Sequence, residues 1–326
     1  MPLLKQILIR ICYALALLLA VLILNFMLIH IAPGDIADTI AGDMGGATAE
    51  VMAQIRADYG LDKPVFVQLG IYLWNVAHFD FGYSFFFNTP VTSLIMERLP
   101  ATLLLVITAQ IFALLIGVIL GVISAKKPNG MLSHFVTLLA LFGYSAPVFW
   151  TGIMLLITFS LMFPLFPVAG MVNVTLLDAP WWRQYLDVAH HMFLPALTLA
   201  SVFLALYSRL CRASMLEVLG SDYVRTARAK GLSQREVIYK HALKNSLGPV
   251  VTLAGLQFSA VVSGAVLVET VFSWPGLGTL ALQSILARDT PTILGILFFS
   301  ALVVIIGNLL TDIVLRLIDP RIRTKG

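Results

Sequence analysis

The sequence predicts an all-α polytopic membrane protein, and two observations point to that class. Of its 326 residues, 59% are hydrophobic and only 12% are charged, and the mean hydropathy is +0.93. Ordinary soluble domains contain roughly 45–50% apolar residues. The apolar residues are also collected in runs of about 20, the length that an α-helix needs to cross a hydrocarbon core of roughly 30 Å.

Six apolar runs define the predicted membrane spans. They cover approximately residues 11–31, 100–123, 135–163, 192–210, 249–271 and 293–315. The third run is too long for one straight span and contains Gly143 and Pro147, so we expect either a kink there or an exit from the bilayer near residues 163–170. The first run is longer than the 7–15-residue core of a signal peptide and no A-x-A cleavage site follows it, so we expect it to be a retained span.

The distribution of positive charge predicts the orientation. If the N-terminus lies in the cytoplasm, only five of the 21 Lys and Arg residues fall outside, and the other 16 fall inside. Those outside are Arg56, Lys63, Arg98, Arg183 and Arg288. Because short cytoplasmic loops are rich in Lys and Arg, we expect both termini to be cytoplasmic. The 32–98 loop is then outside, and its many aromatic residues predict a folded element in place of disorder.

One cytoplasmic loop concentrates six basic residues within residues 222–247. A cytoplasmic location alone would explain the positive charge, but this segment also contains residues that are typical of helix ends. Ser221 or Asp222 is a candidate N-cap for a short helix that Gly231 would close at its C′ position, in a left-handed conformation. Ser233 and Glu236 form an S-x-x-E capping box, which opens a second predicted helix through about residue 246. Apolar side chains line one side of both helices, at Tyr223, Ala227, Val237, Ile238, His241 and Ala242. We interpret this side as a docking surface for another protein.

Other candidate sites are weak. No G-x-x-x-x-G-K-[ST] motif occurs, and the glycine-rich residues 42–47 lack the Lys and Ser/Thr that bind phosphate and magnesium. His190 and His191 are adjacent, so on a helix they point about 100° apart and cannot bind one ion together. Glu269 near the outer end of the fifth run is expected to anchor the turn that follows it. Asn25, Gln110, Gln257 and Asn308 are expected to bond between helices or to line a pathway. Gly117 and Gly121 are expected to allow close helix packing.

At residues 222–247 the sequence resembles the EAA loop of the membrane subunits of binding-protein-dependent ABC importers. The generic pattern is EAA, three residues, Gly, nine residues, Ile, one residue and Leu-Pro. Alignment on Gly231 places Arg225, Thr226 and Ala227 at EAA, His241 at Ile, Leu243 at Leu and Lys244 at Pro. Only Ala227, Gly231 and Leu243 match the generic form. The amino-acid sequence of the segment is nevertheless similar to the corresponding loop of the dipeptide, oligopeptide and nickel branch, and in particular of its dipeptide "B" permeases.

Further motifs extend the resemblance over most of the chain. They are YGLDKPVFVQ (59–68), FDFGYSF (79–85), ERLPATLLL (97–105), YSAPVFW (144–150), HMFLPALTLA (191–200), VETVFSWPGLGTLALQSILARDTP (268–291) and NLLTDIVLRLIDPRIR (308–323). The resemblance implies a type I ABC importer fold with about six spans. We therefore divide the chain into an N-terminal span (1–31), a periplasmic loop (32–98), a transmembrane domain (99–315) that contains the EAA loop (217–246), and a cytoplasmic tail (316–326).

The resemblance also implies a function. The chain would be a non-enzymatic permease in a bacterial inner membrane, paired with a second permease. Two ATP-binding subunits would carry ATP and Mg, a substrate-binding protein would deliver cargo to the outer face, and residues 59–98 would form part of that face. We expect no cofactor or metal in this chain and no nucleic-acid partner. Peptides are the first expectation for cargo, and nickel chelates, glutathione or another small solute are alternatives.

The same resemblance implies which residues transmit ATPase motion. These are Asp222, Tyr223, Arg225, Thr226, Ala227, Arg228, Ala229, Lys230, Gly231, Leu232, His241 and Leu243. Two other classes of protein fit less well. An ion-coupled secondary transporter should show internal repeats and mid-span charges, and neither is found. An intramembrane enzyme built on His190, His191 and Glu269 would lack a known metal or nucleophile motif.

Overall fold

The computed structural model describes residues 2–31, 48–58, 60, 62–176 and 178–318. Most of these residues are helical, which confirms the predicted all-α class. The helices are α1 (Pro2–Ile31), α2 (Ala49–Asp58), α3 (Val65–Ala77), α4 (Val91–Lys126), α5 (Met131–Ser145), α6 (Val148–Leu156), α7 (Trp181–Leu219), α8 (Asp222–Ala229), α9 (Gln234–Leu256), α10 (Phe258–Val271), α11 (Leu277–Ala287) and α12 (Thr290–Ile318). A two-residue antiparallel hairpin, β1 (Tyr83–Ser84) and β2 (Thr89–Pro90), precedes α4.

Three helices of the described chain are long and apolar enough to cross a membrane: Val91–Lys126, Trp181–Leu219 and Thr290–Thr311. Helices α9 and α10, which are bent by 55° relative to each other, pass the same test only as a pair and would be a fourth crossing if they form one span. The fifth predicted span at 249–271 lies within this pair, and the structure breaks it at Gln257. Cys12–Leu28 and Val148–Met162 form shorter apolar helices.

The predicted kink in the third apolar run is confirmed. Helix α5 ends at Ser145 and α6 begins at Val148, with Pro147 as the residue before the new helix. Proline lacks an N–H and disfavours helical geometry in the residue before it, so it separates the two helices. A π-helical turn, Ile157–Met162, extends α6.

The chain divides into two compact units, and the first contains residues 1–100 and 276–305. Its apolar core joins Val76 of α3, Ile95 of α4, Leu280 of α11 and Phe299 of α12, all of them buried. Residues 59–98 contribute a helix, the hairpin and the start of α4 to this unit. The prediction that this aromatic segment folds is confirmed.

A buried hydrogen-bond network fixes the hairpin within the first unit. The Ser84 hydroxyl donates to Asp289 Oδ2 at 2.5 Å, and Thr292 Oγ1 donates to the same oxygen at 2.6 Å. All three residues are buried. Since a buried carboxylate is stable only when hydrogen bonds replace its water, the two hydroxyls account for its position.

The second unit, residues 101–275 and 306–326, is organised around α7, which packs against α5, α6, α9 and α10. Gly117 and Gly121 of α4 also lie directly against α7. An added Cβ would come within 3.0 Å of Tyr207 Cβ at Gly117 and 2.6 Å of Cys211 Cβ at Gly121. The predicted packing role of this glycine pair is therefore confirmed, and buried Cys211 packs as a small apolar residue.

Candidate functional site

The basic segment at 222–247 forms the two helices that its capping signals predict. Ser221 is the N-cap of α8, with extended backbone angles (φ −73°, ψ 155°). Its hydroxyl does not cap the helix, however, because it donates to the Val218 carbonyl at 2.6 Å. The position of the cap was predicted from sequence, and its hydrogen bond was not.

Gly231 ends α8 in the left-handed conformation, as predicted, with φ at +80°. Its N–H donates to the Arg228 carbonyl at 3.0 Å, and the N–H of Leu232 donates to the Ala227 carbonyl at 3.3 Å. This pair of bonds is the Schellman motif, which satisfies carbonyls that a helix end leaves open. An added Cβ at Gly231 would meet no atom within 4 Å, so backbone conformation alone makes glycine favourable here.

The predicted capping box at the start of α9 is also present. Glu236 N–H donates to Ser233 Oγ at 3.3 Å, and Ser233 N–H donates to Glu236 Oε2 at 3.0 Å. Helix α9 then passes through a π-helical turn, Val237–Leu243, and continues to Leu256. The predicted end near residue 246 is wrong, because the helix continues through Gly248 and Pro249 to Leu256.

The apolar side of the two helices is buried within the chain. Val224, Ala227 and Val237 form one small core, joined by Leu232 from the turn. Ala227 is only 6% exposed. The interpretation as a docking surface is therefore wrong for Ala227, Val237, Ile238 and Ala242, which are buried within the chain. Tyr223 is exposed and His241 is half-buried.

The outward surface of α8 is polar. Its predicted coupling residues Asp222, Tyr223, Arg225, Thr226, Arg228 and Ala229 are exposed, as are Lys230 and Gly231 in the turn. Arg225 Nη1 lies 3.4 Å from Asp222 Oδ1, with both side chains largely exposed, and such surface pairs contribute about 0–1 kcal/mol. Two further predicted residues, His241 and Leu243, lie in the π-helical turn of α9 and are half-buried.

One side-chain contact joins α8 to α9 within this segment, and another joins the segment to α4. Asn245 Nδ2 of α9 donates to the Tyr223 hydroxyl of α8 at 2.9 Å. Lys126 Nζ at the end of α4 donates to the Tyr239 hydroxyl at 3.0 Å and lies 4.9 Å from its ring centroid. Sequence reasoning missed Asn245 as a partner, since no periodic spacing relates residues 22 positions apart.

Three of the other candidate residues, His190, His191 and Gln110, have structural partners. His190 Nε2 lies 2.7 Å from the Leu165 carbonyl, and His191 Nδ1 lies 2.9 Å from the Asp187 carbonyl. Gln110 Nε2 lies 3.2 Å from both the Tyr207 hydroxyl and the Ala254 carbonyl, so it joins three helices as predicted. No group of three metal-ligating side chains occurs among the described residues.

Glu269 is fully buried at the end of α10. Its Oε1 accepts a hydrogen bond of 2.6 Å from the Thr102 hydroxyl, and its backbone carbonyl accepts one of 2.8 Å from the Trp274 N–H. The Trp274 indole N–H in turn donates to the Ala101 carbonyl at 2.9 Å. Glu269 and Trp274 thus join the turn to α4, which agrees with the expected anchoring role.

Comparisons with known proteins are consistent with this architecture. The chain is 41% identical over 323 residues to the dipeptide transport system permease protein DppB of Escherichia coli strain K12, covering 94% of this chain and 95% of that protein. It is 42% identical over 316 residues to a putative peptide transport system permease of Brucella abortus strain 2308, covering 96% and 97%. It is 40% identical over 314 residues to the oligopeptide transport system permease AppB of Bacillus subtilis strain 168, covering 96% and 97%.

A solved structure shows the same fold. It is an inward-facing conformation of the MetNI methionine ABC transporter, with a TM-score of 0.55 at 15% identity, covering 69% of this chain and 96% of the other. Two family models match this chain directly. The N-terminal model of the binding-protein-dependent transport system membrane component matches residues 3–106, and the inner membrane component model matches residues 117–324. The chain therefore belongs to the family of binding-protein-dependent transport system inner membrane components.

Proposed function

We propose that this chain is the permease subunit of an ATP-driven importer whose cargo is peptides. The observation that supports this most strongly is 40–42% identity, over nearly the full chain, to relatives named for dipeptide, oligopeptide or peptide transport. Nickel chelates, glutathione and other small solutes remain alternative cargoes.

We further propose that α8 and the start of α9 receive the motion of an ATP-binding subunit. The exposed polar surface of α8 would contact that subunit, and the buried core of Val224, Ala227 and Val237 would keep α8 fixed to α9. Because α9 continues without a break into the membrane segment that ends at Leu256, a displacement of α8 would rotate that segment as a rigid body. Closure of the ATP-binding subunits would thereby change access to the transport pathway.

The proposed partners follow from this arrangement. They are a second permease, two ATP-binding subunits that carry ATP and Mg, and a substrate-binding protein on the outer face. The first unit, with its hairpin and α3, is the proposed contact for the binding protein. Its exposed aromatic side chains include Phe66, Trp74 and Phe86, and aromatic residues are enriched in protein interfaces.

Reconstitution tests the energy source. The chain alone should neither bind nor hydrolyse ATP, because it contains no phosphate-binding loop. Assembled with its partners in proteoliposomes, it should take up labelled dipeptide only when ATP is available on the side of the ATP-binding subunits. Uptake that follows a proton gradient without ATP would reject the importer assignment in favour of a secondary transporter.

Thiol labelling tests the proposed orientation. In a variant without Cys12 and Cys211, a cysteine at Asn129 or Gln234 should react with impermeant thiol reagents only from the cytoplasmic side. A cysteine at Glu50 should react only from outside. All three positions are exposed, so reactivity reports sidedness. The opposite pattern would show that both termini are outside.

A further inference from the structure

A partly enclosed cavity of about 250 Å³ lies among α4, α5 and α7, two helical turns before the end of α7. Its polar lining consists of Ser124, Thr137, Ser208, Arg209 and Arg212, and the remaining lining residues are aliphatic. None of these lining residues is acidic. The cavity therefore combines positive charge and hydroxyl groups with an apolar wall.

Buried donors at this cavity have no partner among the described residues. Ser124 is 1% exposed and its Oγ makes no hydrogen bond, and the buried Arg212 Nε makes none either. Arg212 is held in place by Nη2, which donates to the Pro128 carbonyl at 3.2 Å. Outside the cavity lining, Ser133 Oγ, one turn before Thr137 on α5, is a third buried group without a partner. Such groups are rare in folded proteins, and a bound acceptor would satisfy them.

The chemistry of these groups selects the acceptor. A guanidinium only donates hydrogen bonds, and with hydroxyl groups beside it the arrangement suits an anion that carries several acceptor oxygens, such as a phosphate. A second basic cavity, beside Lys126, is a weaker candidate because Lys126 already bonds to Tyr239.

The surroundings of the cavity favour a lipid over a free ion. On α5, the helix that contributes Thr137, the side chains of Phe135, Leu138 and Leu141 are 61%, 65% and 54% exposed. They form an apolar strip along the helix, against which an acyl chain could lie. Basic pockets between membrane helices on the cytoplasmic side bind anionic headgroups, and the predicted orientation places this end of α7 on that side.

We propose that this cavity binds the phosphodiester of an anionic phospholipid of the cytoplasmic leaflet, with Arg212 and Ser124 as its hydrogen-bond donors. The lipid would lie where α7 approaches the basic segment, and it would be retained when the protein is extracted from the membrane. This proposal does not depend on the cargo.

Native mass spectrometry of the full chain in detergent, titrated with phosphatidylglycerol or phosphatidylcholine, tests the proposal. We expect one phosphatidylglycerol to bind in preference to phosphatidylcholine. Arg212→Gln should weaken that binding about tenfold, since it removes a charge-assisted bond. Ser124→Ala should weaken it by a smaller factor, and because it is a conservative change it also serves if Arg212→Gln does not fold. The matched control is Lys127→Gln, which removes an exposed charge at the same end of α4 and should change binding less than twofold.

Three results would overturn the proposal. Equal weakening by Lys127→Gln would indicate unspecific attraction of anionic lipid to the surface. Competition by millimolar inorganic phosphate, without any preference between the two lipids, would indicate a site for a free anion. Unchanged binding in both Arg212→Gln and Ser124→Ala would leave only water as the partner of these donors.

Discussion

Replacing Gly231 by valine is expected to abolish cargo-stimulated ATP hydrolysis and uptake while leaving insertion of the chain in the membrane unchanged. Gly231 has a φ of +80°, and a β-branched residue in that region costs about 1–2 kcal/mol or more. That cost shifts the local equilibrium away from the Schellman turn by roughly five- to thirty-fold. Without the turn, α8 would lose its fixed angle to α9, and its motion would no longer reach the membrane segment.

Asparagine at the same position is the matched control. It adopts the left-handed conformation far more readily than valine does, and an added Cβ would meet nothing within 4 Å. Gly231→Asn should therefore retain most of the uptake. The measurement is dipeptide uptake and ATPase activity of the reconstituted complex for both variants. Normal transport by Gly231→Val would mean that the geometry of this turn has no part in coupling.

Replacing Glu269 by alanine should have the largest effect on stability. The change removes the acceptor of the Thr102 hydroxyl and leaves a cavity beside the buried Trp274. Loss of a buried hydrogen-bond partner together with several buried atoms costs about 3 kcal/mol. We expect a much lower yield of folded protein and a lower midpoint of thermal unfolding in detergent.

Glu269→Gln provides the comparison, because it keeps the side-chain length and one acceptor oxygen for Thr102. It should fall between the native chain and Glu269→Ala in thermal stability. Thr102→Val, which removes the donor and conserves shape, should be destabilising through the same bond. If Glu269→Ala unfolds at the same temperature as the native chain, the buried carboxyl does not anchor the turn.

Local signals in the sequence predicted much of the coupling segment. The glycine at C′ and the capping box at Ser233 and Glu236 depend on interactions within a few residues, and both are present as expected. Local signals did not predict whether the apolar side of α8 and α9 faces a partner protein or is buried within the chain. Ala227 has the pattern of an exposed docking face, but whether such a face is covered depends on residues farther along the chain, such as Val237.

The membrane helices show the same division between local and distant causes. The break at Pro147 follows from the covalent structure of proline and was predicted. The bend at Gln257 has no proline or glycine at the break itself. It lies where Gly255 approaches Thr311, and Phe258 approaches Gly307, so the path of α12 makes contact on both sides of the bend. The two sides of each contact are far apart in the sequence, so local sequence patterns could not predict the bend.

Site-specific photocrosslinking from α8 tests the central claim most directly. A photoreactive residue at Thr226 or Ala229, both on the exposed surface of α8, is placed in the assembled transporter with its partner subunits, and a probe at Glu50 of α2 serves as the control. We expect both α8 probes to crosslink to an ATP-binding subunit, with a yield that changes when ATP is bound, and the Glu50 probe not to crosslink to it. An α8 surface that crosslinks to no ATP-binding subunit, in a complex that still transports its cargo, would contradict the proposed path from ATP to α9.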